Sequence, residues 1–162
     1  MKLSVLIMAL SVLSNLGSAC GKDKVQGSII YYSYSYQGSM CRSGEYCKVE
    51  AKEDGSIIAL YSDQGQWGVI KAYRAPDDAL ELIEKKVSEG RLRSLKSDYK
   101  TPFHVLDGWA WNLHISFQKG YISSGGYMET PPKDMWDTIK DINAYIKSLA
   151  TEENYLETIQ EE

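Results

Sequence analysis

Residues 48–60 read KVEAKEDGSIIAL and predict two antiparallel strands joined at Asp54-Gly55. An Asp-Gly pair between two such runs is a strong signal for a two-residue hairpin turn. Folding the chain about that pair places Val49 opposite Leu60. Because successive side chains of a strand point to opposite faces, one face of this hairpin is predicted to pack on the core and the other to face solvent. The predicted core face carries Cys47, Val49, Ala51, Ile58 and Leu60.

Further strands are expected on both sides of this hairpin. Residues 28–36 are rich in β-branched and aromatic types and predict a strand before it, and residues 66–73 predict a fourth strand after it. In the first strand every second residue is bulky, which favours a buried face over a ligand-stacking platform. That predicted buried face carries Ile30, Tyr32, Tyr34 and Tyr36.

Two helices are predicted, separated by a second hairpin. The first begins at Pro76, whose fixed φ suits a first helical position, and ends at Gly90. Residues 91–102 show no clear periodicity of apolar side chains, so they are predicted to be irregular. The sequence therefore predicts an α+β domain, an antiparallel sheet of about six strands packed on one face by two helices. The second helix begins at Pro132 and carries an apolar stripe of Met135, Ile139, Ile142, Ile146 and Leu149.

The N-terminus has the pattern of a secretory signal peptide. Lys2 gives a positive start, residues 3–13 are largely apolar, and Gly17-Ser18-Ala19 are small. The apolar run is shorter than the roughly 20 residues that a membrane-spanning helix needs. The domain prediction is a signal peptide at 1–19, a lipid-anchored tether at 20–27, one globular domain at 28–150 and an acidic tail at 151–162.

The three cysteines predict an anchor and a bridge. Cys20 directly follows the small residues, which resembles the lipobox of bacterial lipoproteins. Cys41 and Cys47 are the only other cysteines, so an unmodified Cys20 would leave an odd thiol in an oxidising compartment. We therefore expect a lipid on Cys20 and a disulfide between Cys41 and Cys47. The alternative is simple secretion, or a periplasmic protein, without a lipid.

Composition and motif content exclude several classes of protein. Removal of residues 1–19 costs one charge, Lys2, and leaves 17 basic against 22 acidic side chains, which argues against a nucleic-acid partner. Two histidines, His104 and His114, are too few for a multi-histidine zinc site. The sequence contains no phosphate-binding glycine loop and no hydrolase motif, and His104 near Asp107 has no nucleophile motif beside it. No catalytic residue, metal or cofactor is predicted.

The last third of the chain resembles a group of proteins. Residues 111–117 read WNLHISF, residues 122–127 read ISSGGY, and Pro131-Pro132 follow. This part resembles small uncharacterised envelope lipoproteins of gut Gram-negative bacteria. The resemblance implies a cell with two membranes, where Gly21 after a lipidated cysteine is compatible with sorting to the outer membrane. It implies no activity.

The second hairpin, around Lys119-Gly120, carries a candidate ligand patch. A two-residue turn there pairs Phe117 with Ile122 and His114 with Gly125, which leaves open space opposite the imidazole. The face turned away from the core then combines hydroxyls, an amide, an imidazole and two rings. The alternative is an ordinary solvated sheet face. This hairpin patch consists of Asn112, His114, Ser116, Tyr121, Ser123 and Tyr127.

These features together predict an exported, lipid-anchored binding or structural module of the bacterial cell envelope. Its predicted partners are the membrane, through the N-terminal lipid, and a protein or glycan of the envelope. A glycan-binding module is the first alternative, because tyrosine and tryptophan rings stack on sugars. An envelope enzyme, or an inhibitor of one, is the second.

Overall fold

The computed structural model describes residues 25–41, 43–102 and 107–159. Their eight strands form one sheet in the order β5-β7-β6-β1-β2-β3-β4-β8, antiparallel except for the β5–β7 pair. Two helices follow β4 and β7, namely α1 (Ala79–Glu89) and α2 (Lys133–Ser148). The strands are β1 (Gln26–Gln37), β2 (Gly44–Ala51), β3 (Ile57–Ser62), β4 (Ile70–Arg74), β5 (Asp98–Lys100), β6 (Ala110–Lys119), β7 (Tyr121–Tyr127) and β8 (Tyr155–Ile159).

Both helices pack on the sheet and share one hydrophobic core with it. All five residues of the predicted α2 stripe are buried, which confirms that prediction. The α+β class is therefore confirmed, but the strand number is eight and not six. Helix α1 begins at Ala79 rather than Pro76, because the residues between them form a turn in which the Ala79 N–H donates to the Pro76 carbonyl at 3.0 Å.

The two additional strands lie at the edges of the sheet. Within the predicted irregular segment 91–102, Asp98–Lys100 pairs in parallel with β7. Within the predicted acidic tail, Tyr155–Ile159 pairs with β4, and the Tyr155 ring contacts the Tyr73 ring edge-on at 6.1 Å between centroids. The sheet therefore extends to Ile159, into the segment predicted as an acidic tail. Polar and charged residues are common on edge strands, where they oppose aggregation. Because such residues interrupt the alternation of apolar and polar side chains, the sequence did not predict these two strands.

The β2–β3 hairpin differs from its prediction by one residue of register. Val49 pairs with Ala59 and not with Leu60. The loop has three residues, because the Lys52 N–H donates to the Ser56 carbonyl at 2.8 Å and Gly55 takes a left-handed φ of 83°. A one-residue shift moves every side chain of a strand to the other face. Cys47, Val49 and Ala51 keep their predicted face, whereas the placement of Ile58 and Leu60 beside them is wrong.

The displaced residues form a second, smaller core on the face of the sheet opposite the helices. Leu60, Ile70 and Ala72 are buried there, and Tyr46, Ile58 and Ile159 pack against them. Strand β8 thus adds Ile159 to the apolar surface that the hairpin register turns away from the helices.

Strand β1 confirms the tyrosine prediction in part. Tyr32 and Tyr34 are buried in the main core and Tyr36 is half-buried against it. Ile30, predicted on the same face, is 45% exposed, and Ile29 is buried in its place. The cause is an irregularity in the pairing with β6 between Ile29 and Tyr31, which reverses the alternation at that point.

Candidate functional site

The structure brings all six residues of the hairpin patch to the sheet face opposite the helices. Asn112, Tyr121 and Ser123 are exposed, and the other three are half-buried. Trp111, Leu113, Ile115 and Phe117 are buried in the helix-side core, as the alternation predicts. The assignment of faces in this hairpin is therefore correct.

The register within that assignment differs by two residues. Ser116 pairs with Tyr121, His114 pairs with Ser123, and Gly125 pairs with Asn112. The Phe117 N–H donates to the Gly120 carbonyl at 3.0 Å, and Gly120 carries the positive φ of 80°. A shift of two residues leaves each side chain on its face. The predicted open space opposite His114 is wrong, because Ser123 and not Gly125 pairs with His114. Gly125 lies opposite Asn112, and a Cβ at Gly125 would come 2.9 Å from Asn112 Oδ1.

His114 lies in a row of rings that crosses three strands. Its imidazole stacks on the Tyr121 ring of β7 at 5.3 Å between centroids and meets the Tyr31 ring of β1 edge-on at 5.7 Å. His114 Nε2 lies 3.0 Å from Ser116 Oγ. The ring plane is thus held on both sides, so this aromatic row (Tyr31, His114 and Tyr121) forms an ordered polar-aromatic surface.

Charged side chains of β2 extend this surface. Lys48 Nζ lies 5.2 Å from the Tyr31 ring centroid, within cation–π range, and 2.9 Å from a Glu50 carboxylate oxygen. Burial raises the pKa of Glu50, but hydrogen bonds from Lys52 and Lys48 outweigh it and hold that pKa below its usual value. Sequence reasoning missed Tyr31 and Lys48, because only the strand order places β1 and β2 beside β6.

The other half of the hairpin patch lines a groove at the β5 edge. The groove encloses about 310 Å³. Ser124 Oγ donates to the Lys96 carbonyl at 2.7 Å and the Gly125 N–H to the Ser97 carbonyl at 3.1 Å, which fastens the chain before β5 to β7. Asp98 and Lys100 form an ion pair at 2.9 Å. The polar lining of this edge groove includes Ser97, Asp98, Lys100, Asn112, Ser123 and Tyr127.

The edge groove offers carboxylate, ammonium, amide and hydroxyl groups within one concave surface. These groups both donate and accept hydrogen bonds, so they suit a small polar ligand. The structure therefore divides the hairpin patch in two. Asn112, Ser123 and Tyr127 belong to the groove, and His114, Ser116 and Tyr121 belong to the aromatic row and its surroundings.

Cys47 is a buried free thiol in the main core. Burial raises the pKa of this thiol well above its ordinary value, and the Glu45 carboxylate raises it further, so the thiolate is disfavoured. The Cys41 side chain lies outside the described residues. The disulfide stays a prediction, which mass spectrometry of the non-reduced protein tests.

Two other predicted residues, Cys20 and His104, also lie outside the described ranges. Asp107 is described, and its carboxylate accepts a hydrogen bond from the Met40 N–H at 3.1 Å. Within the described ranges no cluster of three or more His, Cys, Asp or Glu residues could hold a metal ion. The helices found there are too short or too polar to cross a membrane. No protein-family model matches the chain, and no curated protein sequence matches it significantly.

Proposed function

We propose that the protein is an exported, lipid-anchored binding module of the bacterial cell envelope that holds its ligand in the edge groove. The observation that carries the ligand site is the groove itself. It has a polar lining drawn from three strands and lies on a rigid sheet whose opposite face is filled by the helices. A site built on strands keeps its polar groups in fixed positions, which favours selective binding.

The anchor is the lipid on Cys20, and the proposed location is the outer membrane of a Gram-negative cell. Several acyl chains on one cysteine would anchor the protein firmly, whereas one chain gives only marginal binding. Growth with a clickable fatty acid should label the wild type but not a Cys20→Ala variant, and the label should fractionate with the outer membrane. An unlabelled, fully soluble wild type would refute the anchor.

Pull-down of the anchored protein from its own envelope identifies the ligand or partner. A Lys100→Ala/Asn112→Ala double variant removes an ammonium and an amide from the edge groove and should lose that partner. Lys85→Ala is the matched control, because Lys85 is an exposed lysine of α1 on the helix side of the sheet. Full retention of the partner by the folded double variant would remove the groove from consideration.

A glycan-binding module is the second candidate. The groove lining can bond to sugar hydroxyls, and Tyr121, two positions before Ser123 on β7, exposes 66% of its surface to a stacking sugar. A glycan array with the mature protein tests this candidate. Binding that Tyr121→Ala weakens would support it, and an array without specific signals would exclude it.

A further inference from the structure

We infer that the lipid anchor holds the domain on end, with the edge groove and the loop of Trp67 directed away from the bilayer. The ligand is then a polar molecule that arrives from the aqueous compartment and not a lipid of the anchoring membrane. This inference rests on the proposed lipid at Cys20.

The tether is short compared with the domain. Five residues separate Cys20 from Gln26, where β1 begins. At about 3.5 Å per residue the tether spans at most roughly 20 Å. Strand β1 has 12 residues and, at about 3.3 Å per residue, is nearly 40 Å long. The start of β1 must therefore stay close to the bilayer, whereas its end can stand well away from it.

Strand pairing shows which turns and loops lie at the start of β1, the near end, and which lie at its end, the far end. Gln26 pairs with Lys119, so the β6–β7 turn lies at the near end. The β2–β3 turn, which contains Glu53, also lies there, because β2 runs antiparallel to β1. Gln37 pairs with Gly44, and Gly44 forms a bridge with Gln64 of the loop that carries Trp67. That loop is thus at the far end.

The edge groove belongs to the far half of the domain. Asn112 pairs with Ser35, two positions before the end of β1 and nine positions after Gln26. Along the strand this separates Asn112 from the near end by about 30 Å. A tether of roughly 20 Å that starts at the near end keeps the groove clear of the headgroups as long as the domain stands on end.

Charge disfavours the alternative in which the domain lies flat. The mature chain carries 22 acidic against 17 basic side chains. Anionic lipid headgroups attract clusters of Lys and Arg and repel acidic surfaces. An acidic domain joined to the bilayer by one end is therefore held off the surface. Trp67, 73% exposed, then meets the aqueous compartment and not the headgroup layer.

Energy transfer to the membrane tests this orientation. The full lipidated chain carries Cys41→Ser and either Glu53→Cys at the near end or Gln66→Cys at the far end, both exposed positions in loops. Buried Cys47 is protected from the label. Each variant receives the same donor fluorophore and is inserted into phosphatidylcholine–phosphatidylglycerol vesicles with a headgroup acceptor. Transfer from position 53 should exceed transfer from position 66 several-fold.

The outcomes separate the inference from the function on which it rests. Equal transfer from the two positions, or stronger transfer from position 66, would overturn the upright orientation while leaving the anchor intact. A wild type that stays off the vesicles, or a Cys20→Ala variant that binds them equally well, would overturn the anchor and the orientation together. Equal urea midpoints for the two labelled variants would show that the domain is folded in each of them.

Discussion

Replacing Tyr32 with Phe removes one hydroxyl from the centre of the domain. Tyr32 Oη donates a hydrogen bond of 2.8 Å to Asn143 Oδ1, and both side chains are buried. The bond joins β1 to α2 across 111 positions of sequence, so it fixes how the second helix sits on the sheet. Burial raises the pKa of Tyr32 well above its usual value, which keeps the hydroxyl protonated as the donor.

The expected loss of unfolding free energy follows from the Asn143 amide oxygen, which stays buried after the substitution. Tyr32→Phe fills the same space, but it deprives a buried amide oxygen of this donor, which costs about 1–3 kcal/mol of unfolding free energy. In a domain of this size the melting temperature should fall by roughly 3–10 °C. Replacing both partners with apolar groups of similar shape should recover part of the loss, because no buried polar atom is then left unpaired.

Urea unfolding, followed by tryptophan fluorescence and circular dichroism, measures these free energies in a double-mutant cycle. The variants are Tyr32→Phe, Asn143→Leu and their combination, with Tyr121→Phe as a control that removes an exposed hydroxyl. The control should stay within about 0.5 kcal/mol of wild type. A Tyr32→Phe variant as stable as wild type, or single effects that add within about 0.5 kcal/mol, would refute the reasoning.

Alkaline pH should destabilise the domain, because burial raises the pKa values of Tyr34 and Cys47 above their ordinary 10.0 and 9.0. The unfolded chain then releases protons that the folded chain keeps, so this stability is complete below about pH 9 and is lost as pH rises further; a urea midpoint constant from pH 7 to 11 would contradict it. Gly55→Ala and Gly120→Ala should each cost about 1 kcal/mol, since both glycines hold a positive φ near 80°; urea midpoints equal to wild type would argue against these turns. Deleting residues 155–162 should cost at least about 1 kcal/mol, because it removes β8 and its aromatic pair; an unchanged midpoint would mean a frayed tail.

The two hairpins show where sequence reasoning about register succeeds and fails. Both turn glycines were located correctly, but in each turn the glycine supplies one left-handed residue after the bend and not the second position of a two-residue turn. The resulting error is one residue at Gly55 and two at Gly120. Because the side-chain period is two, the first error reversed the face of β3, whereas the second left the hairpin patch on its predicted face.

The sequence also predicted part of the candidate site, namely the residues that share one face of the β6–β7 hairpin. Alternation along β6 and β7 placed Asn112, His114 and Tyr121 on one surface, since that property depends only on the local chain. The ring that contacts the other side of His114 comes from Tyr31, and the charges of the edge groove come from β5. Neither neighbour is encoded near the hairpin, so the local pattern could not supply them.

The sequence by itself determined the α+β class, the apolar stripe of α2 and the buried tyrosines of β1, because these follow from side-chain periodicity within one element. The tertiary structure alone decided the strand order and the two edge strands. Strands β5 and β8 are short and polar, and their main-chain hydrogen bonds exist only once β7 and β4 are in place beside them. Their stability is therefore a property of the assembled sheet and leaves little trace in the local sequence.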